Sequence, residues 1–276
     1  MQIPRQFSLL IGAALLIGSA GAAFAAASKK ALPPAVDPEA VAVAERAGEF
    51  LRDHDRFSFT AVTAYEVVQE DGEKLEFGAT RRYLVQRPDR LRVEVDPRSG
   101  AQCLVVFDGD QLTWAELALG VYAQLRLKQH RPIDEAIALL REVLDVPIPL
   151  AELLRSDPRA DLVGSLTSAY LVGTEKIAGV ECDHVALRNP GRDVQLWIAR
   201  GDAPLLRRVV ITYRDAKGAP TLAANLDEWS FDPTPAEDAF RYSPPAGAQR
   251  VRFALPAKPK AAKPKAAAAA TTPEAR

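Results

Sequence analysis

The side chains that could carry out catalysis show no recognisable catalytic spacing in this 276-residue sequence. Its three histidines, His54, His130 and His184, fall in different predicted elements, so the sequence does not support a triad with Cys103 or Cys182. The sequence lacks Gly-x-Ser-x-Gly, His-Glu-x-x-His, Cys-x-x-Cys and a phosphate-binding glycine loop. Its 36 acidic residues supply many accidental carboxylate pairs, so no glycosidase-like pair is identified by pattern. We therefore expect no catalytic residues and no enzymatic activity.

The two cysteines, Cys103 and Cys182, both lie in predicted strands. Two alternatives follow: one structural disulfide, or two buried thiols. A disulfide requires the two Cα atoms to lie within ~7 Å, which the sequence does not determine. The neighbouring His184 forms a single Cys-x-His pair without the second pair that a zinc site needs. We therefore predict no metal site and no cofactor.

The side chains suited to ligand binding are apolar and lie on strands. The clearest strands form a meander from Phe57 to Val95, in which alternate residues share one face. Turn-forming residues at 70–73 separate the first two strands, and Arg87-Pro88 ends the second. The shared face is predominantly apolar: Phe57, Phe59, Ala61, Thr63, Tyr65, Val67, Leu75, Phe77, Ala79, Arg81, Tyr83, Val85, Leu91, Val93 and Val95. This pattern predicts a strongly curved sheet with one apolar wall.

The same periodicity continues along the chain and predicts about eleven strands in total. Asp37 and Pro38 are typical of a helix start, and an apolar stripe follows them. Between the sixth and seventh strands, helical spacing extends from Ile133 to Leu166. This helical block is either a fixed cover of the sheet or a movable lid. The sequence therefore predicts an α+β fold.

Both ends of the chain differ in composition from its body. Residues 1–25 have a short apolar run and a small-residue cleavage site, which is typical of a signal peptide and predicts export to the periplasm. A leader at 26–36 precedes one domain at 37–255, and the Lys/Pro/Ala-rich tail at 256–276 is predicted to be disordered. This basic tail either contacts anionic envelope components or only increases solubility. The remaining, acidic body argues against a nucleic-acid partner.

Three motifs resemble periplasmic lipoprotein carriers of the LolA/LolB type. Residues 85–94 (Val-Gln-Arg-Pro-Asp-Arg-Leu-Arg-Val-Glu) are similar to the Arg-Pro strand junction of these carriers. Residues 108–114 are similar to their Asp-Gly hairpin, and residues 240–248 resemble their closing Phe-x-x-x-Pro-Pro-x-Gly strand. The segment 35–255 also resembles an uncharacterised bacterial family of predicted periplasmic proteins with a carrier-like fold.

The resemblance implies a single unclosed antiparallel β-barrel of eleven strands wrapped around helices, with an apolar cavity for acyl chains under a helical lid. It also implies that Arg87 is the residue that latches the lid. From shared-face periodicity, we expect the pocket to be lined by Phe59, Tyr65, Phe77, Tyr83, Leu91, Ile137, Leu140 and Leu154.

The leading functional hypothesis is a non-enzymatic binding or carrier protein for a lipid-like or acylated ligand. One alternative is a sensor of envelope lipoproteins that reports to an envelope protein partner. The other alternative is a hydrolase of an envelope polymer. Transient contact with a membrane is compatible with the carrier hypothesis and with the lipoprotein-sensor alternative.

Overall fold

The computed structural model describes residues 35–142, 144 and 148–253. The predicted signal peptide, the leader up to residue 34 and the predicted tail lie outside these ranges. Across the described ranges, no helix combines the length and apolarity required for crossing a bilayer.

The first helix, α1 (Pro38–Arg52), begins as its sequence predicts. The Asp37 carboxylate accepts a hydrogen bond from the Glu39 amide at 3.0 Å, and Pro38 occupies the first turn, where no amide donor is required. Its buried residues recur at helical spacing: Ala40, Val43, Ala44, Ala47, Gly48 and Leu51. This apolar stripe packs in one core with residues of the sheet and of the later helices, as expected for an amphipathic helix.

The described residues contain twelve strands, one more than the eleven predicted. They are β1 (Arg56–Val68), β2 (Lys74–Gln86), β3 (Arg90–Pro97), β4 (Cys103–Phe107), β5 (Gln111–Glu116), β6 (Val121–Arg126), β7 (Ser168–Ile177), β8 (Val180–Asn189), β9 (Arg192–Ala199), β10 (Leu206–Tyr213), β11 (Thr221–Ser230) and β12 (Gln249–Val251). The additional strand, β12, has three residues and pairs with β6 in parallel.

All strands belong to one sheet with the order β12-β6-β5-β4-β3-β2-β1-β11-β10-β9-β8-β7. Two meanders, β1 to β6 and β7 to β11, therefore meet where β1 pairs with β11. The edge strands β12 and β7 are not paired with each other, so the barrel stays unclosed. Every pair except β12–β6 is antiparallel. The predicted α+β half-barrel is confirmed.

The helical block between β6 and β7 consists of α2 (Ile133–Glu142), α3 (Ala151–Leu154) and α4 (Pro158–Val163). Asp157 caps α4 by accepting a hydrogen bond from the Ala160 amide at 3.1 Å. The block and α1 pack on the concave face of the sheet, where residues of both meanders join one core. A smaller cluster on the opposite face holds Phe240 against Leu104, Val106 and Ala115. The helices thus occupy the space that the curved sheet encloses.

Candidate ligand-binding site

Six of the eight predicted pocket residues lie together in the core under the helices. Phe59, Tyr83, Leu91, Ile137, Leu140 and Leu154 are each at most 3% exposed. The Phe59 and Tyr83 rings stack with their centroids 4.5 Å apart, because these residues are directly opposite on β1 and β2. Leu91, Leu140 and Leu154 pack within the core, whereas Ile137 also borders a cleft described below, and Phe59 and Tyr83 border a separate surface pocket.

The other two predicted residues lie where the helical cover ends. Tyr65 is partly buried against the core, and Phe77 is 45% exposed. Their rings stack at 6.0 Å, and Tyr65 pairs with Phe77 on one side and with Leu222 on the other. The next inward-facing pair, Val67 and Leu75, is also exposed. An apolar strip (Tyr65, Val67, Leu75 and Phe77) therefore extends the concave face beyond the helices.

A small cavity lies between α3, α4 and the second meander. Its volume is about 30 Å³. Its lining is mostly aliphatic: Leu150, Leu153, Leu162, Val194, Leu196, Leu206, Val209 and Ile211. Four polar residues complete the lining: Glu152, Asp161, Asn189 and Arg192. The volume suffices for about one water-sized molecule.

A larger cleft opens beside this cavity at the mouth of the half-barrel. It encloses about 220 Å³ and shares Leu150, Glu152 and Arg192 with the cavity. Its floor includes Tyr213 and Leu222, and its helical side includes Ile137 and Ile148. Because Leu222 pairs with Tyr65 across β11 and β1, the cleft floor is continuous with the apolar strip. A predominantly apolar path, bordered by the charged residues Glu152 and Arg192, therefore runs from the strip to the cavity.

Two polar contacts hold α3 and its preceding loop on the sheet at this mouth. The Arg192 Nη1 donates to the Glu152 Oε1 at 2.8 Å. The Tyr83 hydroxyl donates to the Pro149 carbonyl at 2.9 Å. Burial raises the pKa of Tyr83, so its hydroxyl keeps the proton that it donates.

Arg87, the predicted latch, contacts the helical block and the end of α1 together. Its Nη1 donates to the carbonyls of Leu51 at 2.6 Å and His54 at 2.9 Å, and its Nη2 donates to that of Leu153 at 3.3 Å. Its guanidinium also lies 5.0 Å from the centroid of the Phe57 ring. Arg87 therefore links the block to the end of α1, and both its role as a latch and movement of the block stay predictions.

The two cysteines are free thiols in this structure. Cys103 is on β4 and Cys182 is on β8, strands separated by six others in the sheet order. The Cys103 thiol donates to the Glu116 Oε2 at 2.9 Å. Burial and this neighbouring carboxylate raise the pKa of Cys103 to about 12. Of the two alternatives from the sequence, the structure has the pair of thiols.

The three histidines have local structural partners. His54 bonds the Phe50 carbonyl at 2.7 Å, and His184 stacks on Trp197 with centroids 4.0 Å apart. His130 lies between two carboxylates, 2.6 Å from Asp89 and 3.2 Å from Asp110. Within the described ranges, no three or more metal-binding side chains come together in a group that could hold an ion.

Most cavity-lining residues come from strands that the sequence-based site prediction left out. Val194, Leu196, Leu206, Val209 and Ile211 lie on β9 and β10. The same alternation that identifies the wall of the first meander would have identified the inward face of these strands. The Glu152–Arg192 contact has no comparable local signal, because its residues come from α3 and β9.

Comparison with known proteins shows one family match. A family model described as "Predicted periplasmic protein (DUF2092)" matches residues 40–254. None of the curated proteins compared with the chain matches it.

Several solved structures are similar in part. An uncharacterised conserved protein from Thermus thermophilus is 14% identical, with a TM-score of 0.45, over 78% of this chain and 99% of that one. The lipoprotein LppX from Mycobacterium tuberculosis is 16% identical, with a TM-score of 0.43, over 72% of this chain and 98% of LppX. A LolA superfamily protein from Nitrosomonas europaea is 12% identical, with a TM-score of 0.38, over 74% and 97%.

Proposed function

The chain belongs to the DUF2092 family of predicted periplasmic proteins, and we propose that it binds a lipid-like or acylated ligand on the concave face of its half-barrel. In this role it is a non-enzymatic binding or carrier protein of the periplasm. The observation that carries the proposal is the path from the exposed apolar strip, through the cleft at the mouth, to the cavity behind α3, which is apolar except where Arg141, Glu152 and Arg192 border the cleft.

The shape of this path favours an acyl chain over a compact polar ligand. Small-molecule sites are predominantly apolar, with a few polar groups that fix orientation. Here most of the cavity lining is aliphatic, and Glu152 and Arg192 lie where the cavity meets the cleft. A chain that enters tail first would keep its polar end near Glu152 and Arg192.

Ligand entry requires the helical block to move. Ligand pockets commonly enclose about 300–1,000 Å³, whereas the cavity and cleft enclose about 30 and 220 Å³. Displacing α3 would uncover the aliphatic residues of β9 and β10 and join the two spaces. Three polar contacts between the sheet and α3 with its preceding loop oppose this movement: Arg87 with Leu153, Tyr83 with Pro149, and Arg192 with Glu152. Burial of the Leu153 and Leu154 side chains of α3 in the core opposes it as well.

Extraction of the purified protein tests the proposal directly. Protein prepared from a periplasmic fraction without detergent is extracted with organic solvent, and the extract is analysed by mass spectrometry. We expect acyl-containing molecules in a fixed ratio to protein. A lipid-free protein that hydrolyses an envelope polymer would overturn the proposal in favour of the hydrolase alternative.

A binding assay locates the site. Pyrenedodecanoic acid is titrated into the wild type and into Tyr213→Glu, which places a charge on the cleft floor. The matched control is Tyr170→Glu, because Tyr170 is 51% exposed on β7 and does not line the cleft. We expect weaker binding only in Tyr213→Glu. Equal binding by all three proteins would place the probe elsewhere.

A further inference from the structure

Asn189 is the one cavity-lining residue whose buried side-chain atom lacks a hydrogen-bond partner within the described part of the chain. The residue is 7% exposed and lines the cavity behind α3. Its Oδ1 is buried without a protein partner. An unsatisfied buried polar group costs free energy, so a ligand that donates a hydrogen bond to this atom gains affinity from satisfying it.

The position of Asn189 is fixed by its backbone. It ends β8 and pairs with Arg192 on β9, and its carbonyl accepts a hydrogen bond from the Arg214 Nη2 at 2.7 Å. Because it belongs to the sheet, it stays in the cavity wall when the helices move. Its side chain faces inward together with those of Leu187 and Val185, which precede it by two and four residues on the strand.

The charges around the cavity do not offer a free cation to a ligand. Arg192, the cation in the lining, is bonded to Glu152 at 2.8 Å. Asp161, the second carboxylate in the lining, is bonded to Arg155 at 3.0 Å. Each ion pair is internally neutral, and the atom left over is the Asn189 oxygen, which is an acceptor. The complementary ligand group is therefore a neutral donor and not an anion.

We propose that the ligand of this cavity is an acyl chain that carries a neutral hydrogen-bond donor, an amide N–H or a hydroxyl, and that Asn189 accepts this hydrogen bond. The inference rests on the proposed function and narrows its ligand class. An amide-linked or hydroxylated acyl ligand satisfies Asn189, whereas a simple ester cannot donate to it.

The test uses three probes of one chain length in isothermal titration calorimetry. Decanamide presents N–H groups, 1-decanol presents a hydroxyl, and methyl decanoate presents no donor. A neutral hydrogen bond corresponds to an affinity ratio of about 3 to 10. We expect the wild type to bind decanamide, decanol or both about 3 to 10 times more tightly than methyl decanoate. Tighter binding of decanamide would identify an amide N–H as the donor, and tighter binding of decanol would identify a hydroxyl.

Three variants separate the role of Asn189 from general effects. We expect Asn189→Leu to bind all three probes with the affinity of the ester, whereas Asn189→Asp keeps an acceptor and keeps the preference. The control Asn225→Leu changes an exposed asparagine on β11 and is expected to match the wild type. If circular dichroism shows that the leucine variant is unfolded, Asn189→Ala replaces it.

Two results would overturn this inference and leave the proposed acyl-binding function intact. One is equal binding of all three probes by the wild type, which is expected if a single water satisfies Asn189. The other is a preference for the donor probes that survives in Asn189→Leu. If the wild type binds none of the probes, the proposed acyl-binding function fails, and the inference falls with it.

Discussion

Arg87 and Leu153 are joined by a hydrogen bond from the guanidinium Nη2 to the carbonyl oxygen at 3.3 Å. This bond connects the residue after β2 with α3 of the helical block. The same guanidinium holds the carbonyls of Leu51 and His54 at the end of α1 more closely, at 2.6 and 2.9 Å. Arg87 therefore links the sheet, the first helix and the block at one point.

Replacing Arg87 is expected to loosen the block. Hydrogen bonds from a charged donor contribute roughly 1.5–3 kcal/mol, so Arg87→Leu is expected to lower the free energy of unfolding by about this amount. Hydrogen exchange is expected to accelerate in 150–163 and at the end of α1. Arg126→Leu, an exposed arginine at the end of β6, is the control. Unchanged exchange in 150–163 would mean that Arg87 serves only α1.

The exposed position of Phe77 makes it suitable for testing the apolar strip without disturbing the core. Phe77→Asp is expected to weaken binding of an acyl probe about fivefold to tenfold, because burial of a whole aromatic side chain contributes about 1.5–3 kcal/mol and Phe77 is about half exposed. The control Tyr170→Asp is similarly exposed and lies outside the strip. Equal affinities for the two variants would exclude the strip from the binding path.

Gly48 is expected to be required for the contact between α1 and α4. A Cβ atom added at this glycine would lie 2.4 Å from the Arg159 Cα and 2.7 Å from its nitrogen. Alanine in a helix interior normally stabilises by roughly 0.5–1 kcal/mol relative to glycine, but overpacking costs about 1–3 kcal/mol. We expect urea unfolding to show a lower free energy of unfolding for Gly48→Ala than for the wild type. A gain in stability would mean that α4 moves aside without cost.

His130 makes part of the stability depend on pH. Two hydrogen bonds raise the pKa of His130, and the bond with Asp89 has a larger effect than the bond with Asp110. A histidine whose pKa is higher in the folded state stabilises fully below its unfolded pKa of about 6.5, and this stabilisation is lost as the pH rises through the folded pKa. The urea midpoint of the wild type is therefore expected to be higher than that of His130→Gln, and this difference is expected to be larger at pH 5.5 than at pH 9. A pH-independent difference would contradict this.

The cysteines are expected to be unreactive in the native protein. Burial, with Glu116, raises the pKa of Cys103 to about 12, and burial raises the pKa of Cys182. Because the thiolate is the reactive form, alkylation by iodoacetamide at pH 8 is expected to be slow until the protein is unfolded. After unfolding without a reductant, two thiols per chain are expected to react with iodoacetamide. If no thiol reacted, Cys103 on β4 and Cys182 on β8 would be joined by a disulfide.

Local sequence signals predicted most of the fold. Alternation and turn residues identified the strands of both meanders, and Asp37 caps α1 at its predicted start. The resemblance placed a closing strand at 240–248, but the structure has turns and irregular backbone there. The three-residue β12 follows at Gln249–Val251, and its strand conformation depends on pairing with β6.

The candidate site was less predictable than the fold. Periodicity correctly placed Phe59 and Tyr83 on the concave face, but it does not indicate where the helices stop covering that face. Phe77 shares the pattern of Tyr83 and is nevertheless exposed, because it lies near the hairpin end of β2. Asn189 and Arg192 become part of a cavity only through long-range packing of α3 and α4 on the second meander.

The junction of β1 and β11 has a consequence for how the chain folds. Within the described residues, every antiparallel pairing other than β1–β11 joins strands that are consecutive in sequence. Each meander can therefore form from contacts between near neighbours, which form quickly because little chain entropy is lost in closing short loops. Bringing Tyr65 beside Leu222 closes a loop that contains most of the domain, including the whole helical block. We expect this late encounter between two preformed halves to set the folding rate.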